Sequence, residues 1–229
     1  RESSRPLTLA DVTRRSGIPR SSVHRILERL IELGWLSRRN GGYILSLQLY
    51  ELGIGAAQSN QLMRVCWPVL QELYKDTGHA ALLGTLRGNE VMLLQKSGGR
   101  HAAVIPFRVG SRLPATKASI GKVLLGTTPS THLGDEPAAN LAENNPRLQH
   151  ELDQARETGI AFNRDELVSG LSCIGAAVRV YGYPSGVAIA ICGPSARLQD
   201  RSLNRAVQAM AATVGRSMEA LEMAQSPGH

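Results

Sequence analysis

Residues 7–34, "LTLADVTRRSGIPRSSVHRILERLIELG", constrain the fold of the chain's start more tightly than any other stretch. Leu9 and Val12, with Ala10 beside them, fall on one helical face behind Thr8, a residue type that caps helix N-termini. Gly17 ends that pattern, because it accepts the left-handed torsions of a helix stop, and Pro19 bars continuation from behind. A second helix is expected to start at Arg20 or Ser21. Its apolar residues Val23, Ile26, Leu27, Leu30 and Ile31 recur at helical spacing until Gly34. Two short helices joined by a tight glycine-containing turn form a helix-turn-helix.

After Gly34 the period changes. "WLSRRNGGYIL", residues 35–45, reads as strand, Asn-Gly-Gly turn, strand, which is a hairpin. A hairpin in this place is a wing, and Arg38 and Arg39 sit near its tip.

Charge supports a polyanionic partner. The 229-residue chain carries a net +7, and residues 1–46 hold nine arginines against four carboxylates (Glu2, Asp11, Glu28 and Glu32). Most of the excess therefore lies in a fifth of the chain, as expected of a nucleic-acid-binding head. The second helix is polarised the same way. Arg20, Ser21, Ser22, His24 and Arg25 crowd its start, while Glu28 and Glu32 lie further along. Entered N-terminus first into a DNA major groove, this helix would offer serine donors, a long arginine and free backbone N–H groups to phosphates and base edges. The expected DNA contacts are Arg20, Ser21, Ser22, His24, Arg25, Arg38 and Arg39. For His24 the sequence leaves two readings open, a phosphate contact or packing beside the turn.

Several classes are excluded or disfavoured. No apolar run is long enough for a membrane span, and no signal-peptide pattern is present. The three cysteines (Cys66, Cys173, Cys192) lie in apolar surroundings without a CxxC pair, and read as buried, reduced thiols of a cytoplasmic protein. The scattered histidines show no zinc-ligand spacing, so neither metal nor cofactor is expected.

"QLYELGIGAAQSN", residues 48–60, has helical composition weakened by Gly53 and Gly55. The following "MRVCWPVLQELYKDTG" places Val65, Leu70 and Leu73 on one face, with Trp67 adjoining and Pro68 starting a new turn. The expected division is a head at 1–46, a linker helix at 47–61 and a second domain at 62–229.

In that second domain "AALLGTLRG", "EVMLLQKS", "AAVIPFRVG", "IAFNRD", "LSCIGAAVRVY" and "GVAIAICG" read as six short strands. Helices are expected near 119–126, 148–158 and 200–224. Strands mixed with outer helices suggest an α+β domain with an antiparallel sheet. Catalytic motifs fail. "GLSCIG" lacks the spacing of a nucleophile elbow, and "ASIGKV" lacks both the earlier glycine and the Ser or Thr after Lys122 that a phosphate loop needs. Cys173 has no histidine nearby in sequence and reads as a structural or pocket-lining thiol.

The segment from Leu7 to Gly53 resembles the winged helix-turn-helix of the isocitrate lyase regulator (IclR) family of bacterial transcription factors. Members usually carry one more helix ahead of it, which here would precede Arg1. "RVGSRLPATKASIGKVLLG" and "GIAFNRDELVSGLSCIGAAVRVYGYPSGVAIAICGPSARL" resemble two signature segments of the family's effector-binding domain. The resemblance implies an α+β, GAF-like sensor domain with an antiparallel sheet flanked by helices. It also implies a double-stranded operator, self-assembly as a homodimer or dimer of dimers, and a small-molecule effector. Carried over by position, the effector wall would include Ala102, Ile105, Leu113, Ser119, Ile120, Asn163, Leu171 and Cys173. The family often has His-Ala where this chain has Thr116-Lys117, and an acid where it has Asn163. Lys117 pointing inward would suit an organic acid or aromatic carboxylate. Pointing outward it would be solvated, and the sequence leaves both open. The expected function is ligand-responsive transcriptional regulation by a non-enzyme, with repression, the family's more frequent mode, as the expected sign. The alternative, a small-molecule hydrolase with an incidental basic head, requires a nucleophile–base pair that the sequence does not offer.

Overall fold

The computed structural model describes residues 5–129, 145–180, 182–184 and 186–225, and the chain divides into two compact units, Arg1–Asn60 and Gln61–His229.

In the first unit, α1 (Leu9–Ser16) begins at a capping box in which Thr8 Oγ1 accepts from the Asp11 backbone N–H and the Asp11 carboxylate accepts from the Thr8 N–H. Gly17, at φ 68°, ends it. Leu9 and Val12 are half-buried, whereas Ala10 faces solvent and contributes nothing to the small core. Pro19 is the N-cap of α2 (Arg20–Glu32). Of the expected apolar stripe, Val23 and Leu27 are buried, Leu30 and Ile31 half-buried, and Ile26 is 48% exposed. At its end Gly34 N–H bonds to Ile31 O and Trp35 N–H to Leu30 O, closing the carbonyls left by the last turn. Strands β1 (Leu36–Arg39) and β2 (Gly42–Leu45) pair antiparallel around Asn40 and Gly41, both at positive φ. Leu7 bridges Tyr43 and adds a third edge to this wing. Helix α3 (Leu47–Ser59), capped by Ser46, has no buried residue.

Asp11 ties this unit's stability to acid. The Thr8 hydroxyl and backbone hydrogen bonds, joined by Arg14, hold its carboxyl at about 2, below its ordinary 3.8. A depressed folded-state pKa gives stability that is present above the unfolded value and lost as pH falls through the folded one. We expect the unit's melting temperature to drop between pH 4 and 2, and the drop to be smaller in Asp11→Asn; equal acid profiles for the two proteins would contradict the assignment.

The second unit opens with α4 (Gln61–Thr77), which runs continuously through Pro68. It is followed by β3 (Ala80–Arg87), β4 (Glu90–Ser97), α5 (Gly99–Ala103), β5 (Arg112–Pro114) and α6 (Ser119–Thr127). Then come α7 (Pro146–Thr158), β6 (Ile160–Val168), β7 (Leu171–Val178), β8 (Val187–Pro194), a 3-10 turn (Ser195–Arg197) and α8 (Arg201–Gln225). The sheet is antiparallel throughout, in the order β5-β4-β3-β8-β7-β6. Strand alternation sorts its side chains onto two buried faces. Leu83, Ile174, Ile189 and Ile191 meet α4 and α8, while Leu82, Cys173, Ala190 and Cys192 meet α6 and α7.

One expected strand is absent. "AAVIPFRVG" is not extended; its start lies in α5, and β5 is the later Arg112–Pro114. Gly98 and Gly99, both at positive φ, turn the chain out of β4 into α5, and Pro106 lacks the N–H a ladder needs.

Candidate nucleic-acid interface and effector cavity

The first turn of α2 contains no acid, and no side chain caps it, so its free N–H groups are unspent. Arg20, Ser21, His24 and Arg25 are exposed beside them and Ser22 is half-buried. The structure therefore brings the predicted early α2 residues into one donor-rich turn.

The wing is wired differently from the sequence expectation. Arg38 does not stand free: its guanidinium forms an ion pair with Glu28 and lies 5.8 Å from the centre of the Tyr43 ring. That hydrogen bond to Glu28 raises the Arg38 pKa, so the residue stays cationic. Glu28 also lies 3.8 Å from His24 Nε2. The carboxylate is thus a brace between α2 and β1. Arg39 is exposed at the hairpin turn.

In the second unit, an apolar cavity sits between the sheet and α6. Its walls are Leu82, Val91, Leu93, Phe107, Leu113, Ala118, Ser119, Ile120, Leu167, Cys173, Ala190 and Cys192, and its volume is ≈ 10 Å³. That space is of the order of a single water, so a larger occupant requires side chains to move. Two features of α6 set the cavity's edge. Ala118 caps the helix without a side-chain bond, leaving the N–H groups of its first turn beside buried Ser119. Gly175 on β7 lets that end press onto the sheet, since a Cβ there would lie 2.9 Å from the Ser119 carbonyl carbon.

The eight expected effector residues do not share one cavity. Leu113, Ser119, Ile120 and Cys173 line the apolar space. Ile105 and Leu171 line a neighbouring ≈ 280 Å³ pocket with His79, His101 and Arg197. Asn163 lines a ≈ 550 Å³ cleft near the start of α8, together with Cys173. Ala102 lines none of the three and packs by Gly98, because residues 99–103 are helical. Buried Asn163 donates from Nδ2 to the Lys117 carbonyl at 2.7 Å, while the Lys117 side chain is exposed. Lys117 therefore contributes its carbonyl, and its ammonium does not enter the cavity.

Three features escaped the sequence reading. Lys96 Nζ donates to the carbonyls of Ala102, Ile105 and Phe107 at 2.9, 3.3 and 2.8 Å, clamping the segment that closes the cavity. Burial and the neighbouring Arg108 push its pKa down. Lys122, fully buried, meets Glu151 and Glu166, each at 2.6 Å, and donates to the Phe162 carbonyl. A lysine inside "SIGKVLLG" was the available signal, but its two partners lie on α7 and β6. Finally, Cys173 and Cys192 are not free thiols. They are directly opposed on β7 and β8, with Cα atoms 4.2 Å apart, and are joined as a disulfide. Only Cys66 among the three matches the reduced expectation, and burial raises its thiol to about 12.

Comparison with known proteins decides the family. The profile described as "Bacterial transcriptional regulator IclR C-terminal" matches residues 54–217, and the "IclR helix-turn-helix domain" matches residues 1–40. The chain belongs to the IclR family. It is 30% identical over 215 residues to the HTH-type transcriptional regulator XynR of Escherichia coli, covering 88% of this chain and 84% of XynR. It is 23% identical over 216 residues to the Escherichia coli transcriptional repressor IclR, covering 87% and 77%. An IclR homologue from Microbacterium hydrocarbonoxydans, solved in complex with 4-hydroxybenzoate, superimposes with a TM-score of 0.74 at 21% identity, covering 96% of this chain and 94% of that one. As in other IclR-family proteins, a DNA-binding helix-turn-helix precedes an effector domain built on a curled antiparallel sheet. No described helix is long and apolar enough to cross a membrane, and no metal-ligand cluster occurs among the described residues.

Proposed function

We propose that this IclR-family regulator is a cytoplasmic, one-component repressor that releases its operator when a small organic acid or aromatic metabolite binds the effector domain. The uncapped, acid-free first turn of α2, ringed by Arg20, Ser21 and Arg25, carries the DNA half of this reading. Arg25 reaches base edges or phosphate, the serines and backbone N–H groups fix the helix, and Arg39 neutralises phosphate from the wing. Arg38 acts at one remove by holding Glu28. We expect Arg38→Ala to weaken operator binding and Arg38→Ala/Glu28→Gln to recover part of it, measured by fluorescence anisotropy. No recovery would show that Arg38 contributes only its own phosphate contact.

The helix α3 supports self-association. Leu47, Tyr50 and Leu52 are 69%, 65% and 57% exposed there, and no residue of α3 is buried, so an apolar helix is left without a partner inside its own unit. A homodimer or dimer of dimers covering this face would present two recognition helices to a palindromic site.

For the effector, the apolar walls offer an aromatic or aliphatic body its place, and the N–H groups opening α6 offer a carboxylate its partner. The 4-hydroxybenzoate bound by the Microbacterium relative has this combination of parts. Binding would have to displace the Lys96-clamped segment, which gives the ligand a differential affinity for two states. The regulators among the relatives favour this reading over the hydrolase alternative. The deciding experiment is electrophoretic retardation of the DNA upstream of the protein's own coding sequence, repeated with a panel of organic acids including 4-hydroxybenzoate. Sequence-specific retardation reversed by a panel member is expected. Retardation of all DNA alike, or none, would overturn the reading.

A further inference from the structure

The disulfide lies where a regulator's ligand chemistry should be, and three cavities converge on it. Cys173 and Cys192 both line the apolar cavity. Cys173 also borders the ≈ 550 Å³ cleft, and Cys192 borders the ≈ 280 Å³ pocket. The residues themselves are 6% and 1% exposed, so the pair is shielded by the sheet yet approachable by a small molecule from either side. Its placement is fixed by the ladder rather than by a loop. β7 and β8 run paired from Leu171↔Pro194 to Val178↔Val187 without a register shift, and Cys173 faces Cys192 within that run. The Cα separation of 4.2 Å resembles that of a non-hydrogen-bonded antiparallel pair, where facing side chains come closest. Two thiols held so need no chain movement to join or part, because the ladder holds the backbone in either state.

We propose that Cys173 and Cys192 form a reversible dithiol–disulfide pair oxidised by hydroperoxides, a second chemical input at the floor of the effector cavity. Cys173 borders the larger cleft and is the attacking residue. Its thiolate takes the terminal oxygen of a hydroperoxide, ROOH, giving a sulfenic acid and, after protonation of the leaving alkoxide, ROH. The Cys192 sulfur then attacks the sulfenic sulfur, the S–S bond forms, and the hydroxyl leaves as water with the Cys192 proton. In sum, two thiols and ROOH give one disulfide, ROH and water. Reversal consumes two low-molecular-weight thiols, which end as their own disulfide. Cys66 takes no part: it is buried on the opposite face of the sheet, against α4's partners, with its thiol raised to about 12. The disulfide in the structure and a reducing cytoplasm are then two settings of one device rather than a conflict.

The pair's role as an input rests on the proposed function, whereas its oxidation does not and is measured without DNA or ligand. The fully reduced full-length chain is exposed to hydrogen peroxide, quenched, denatured, alkylated with N-ethylmaleimide and weighed by intact mass spectrometry. The chain has three cysteines, so the reduced protein takes three adducts. Peroxide should remove two of them together, dithiothreitol should restore both, and a digest should contain the Cys173–Cys192 cross-linked peptide. Cys66→Ser should lose both of its remaining adducts in the same way. Cys173→Ser and Cys192→Ser should each keep theirs or stop at a sulfenic acid. Three adducts persisting after peroxide, paired loss in Cys173→Ser, or a disulfide that dithiothreitol cannot open in the folded protein would overturn the proposal.

Discussion

Replacing Lys122 with Met should destabilise the effector domain by about 3–5 kcal/mol, the cost typical of removing one partner from a buried ionic group. The ammonium is wholly buried and sits between two carboxylates from different elements, Glu151 on α7 and Glu166 on β6. Met fills similar space but leaves Glu166 facing Glu151 without the ammonium between them, Glu151 keeping only its pair with Arg147. Burial alone would raise the Glu151 carboxyl, yet its hydrogen bonds to Lys122 and Arg147 outweigh burial and its pKa is lowered. That stabilisation is present above the ordinary glutamate range and fades as pH falls, so the variant's deficit should shrink in acid. Urea unfolding followed by Trp67 fluorescence in a Trp35→Phe background isolates this unit, since the chain's two tryptophans divide between the two units. The triple variant with Glu151→Gln and Glu166→Gln should recover part of the loss. A Lys122→Met midpoint equal to the parent's at neutral pH would show that the ion triad contributes nothing net.

Gly121→Val should be the most damaging glycine substitution on the same helix, costing at least the ~1–3 kcal/mol typical of overpacking. A Cβ at Gly121 would overlap the carbonyl oxygen and Cα of Ala115, both backbone atoms of the segment that runs from β5 into α6. Backbone cannot swing aside as a flexible side chain can. The helix would have to lift from the segment carrying Leu113, and the apolar cavity would open with it. The prediction is a lower urea midpoint together with increased binding of a hydrophobic dye. Gly53→Val on α3, where a Cβ meets nothing within 4 Å, is the matched control and should leave both readings almost unchanged. Equal effects at the two positions would refute the packing explanation.

The helix-turn-helix was legible because its determinants are local. Thr8, Gly17, Pro19 and Gly34 act within a few residues of themselves, and each lies in the structure where its chemistry put it. Most of the sheet was legible for the same reason, through short apolar runs between glycine turns, the pattern of strands buried on both faces. The missed strand shows the limit. "AAVIPFRVG" is apolar enough for a strand, and what decides against it is the turn at Gly98-Gly99 and the Lys96 clamp across three carbonyls.

Which of the expected effector residues share a cavity was not legible. Ser119 and Cys173, expected together by resemblance, do line one apolar cavity, but the grouping of the others depends on register and on the path of residues 99–114. The Cys173–Cys192 pairing depends on the β7–β8 register, and no spacing rule announces it. Lys117 and Lys122 make the same point in opposite directions. The lysine whose direction the sequence left open is exposed, and the one dismissed with a failed phosphate loop is the buried centre of the α6 face.

The central claim, that the start of α2 reads DNA while the wing holds the backbone, is tested most directly by operator anisotropy titrations across a salt series. Parent, Arg25→Ala and Arg39→Ala would be compared on operator and scrambled duplexes. Arg25→Ala should lose about 1–3 kcal/mol on the operator and less on scrambled DNA, the mark of a lost base-edge contact. Arg39→Ala should lose affinity about equally on both duplexes and lower the salt slope by roughly one phosphate contact. Unchanged operator affinity in Arg25→Ala, with a salt slope equal to the parent's in Arg39→Ala, would contradict the account.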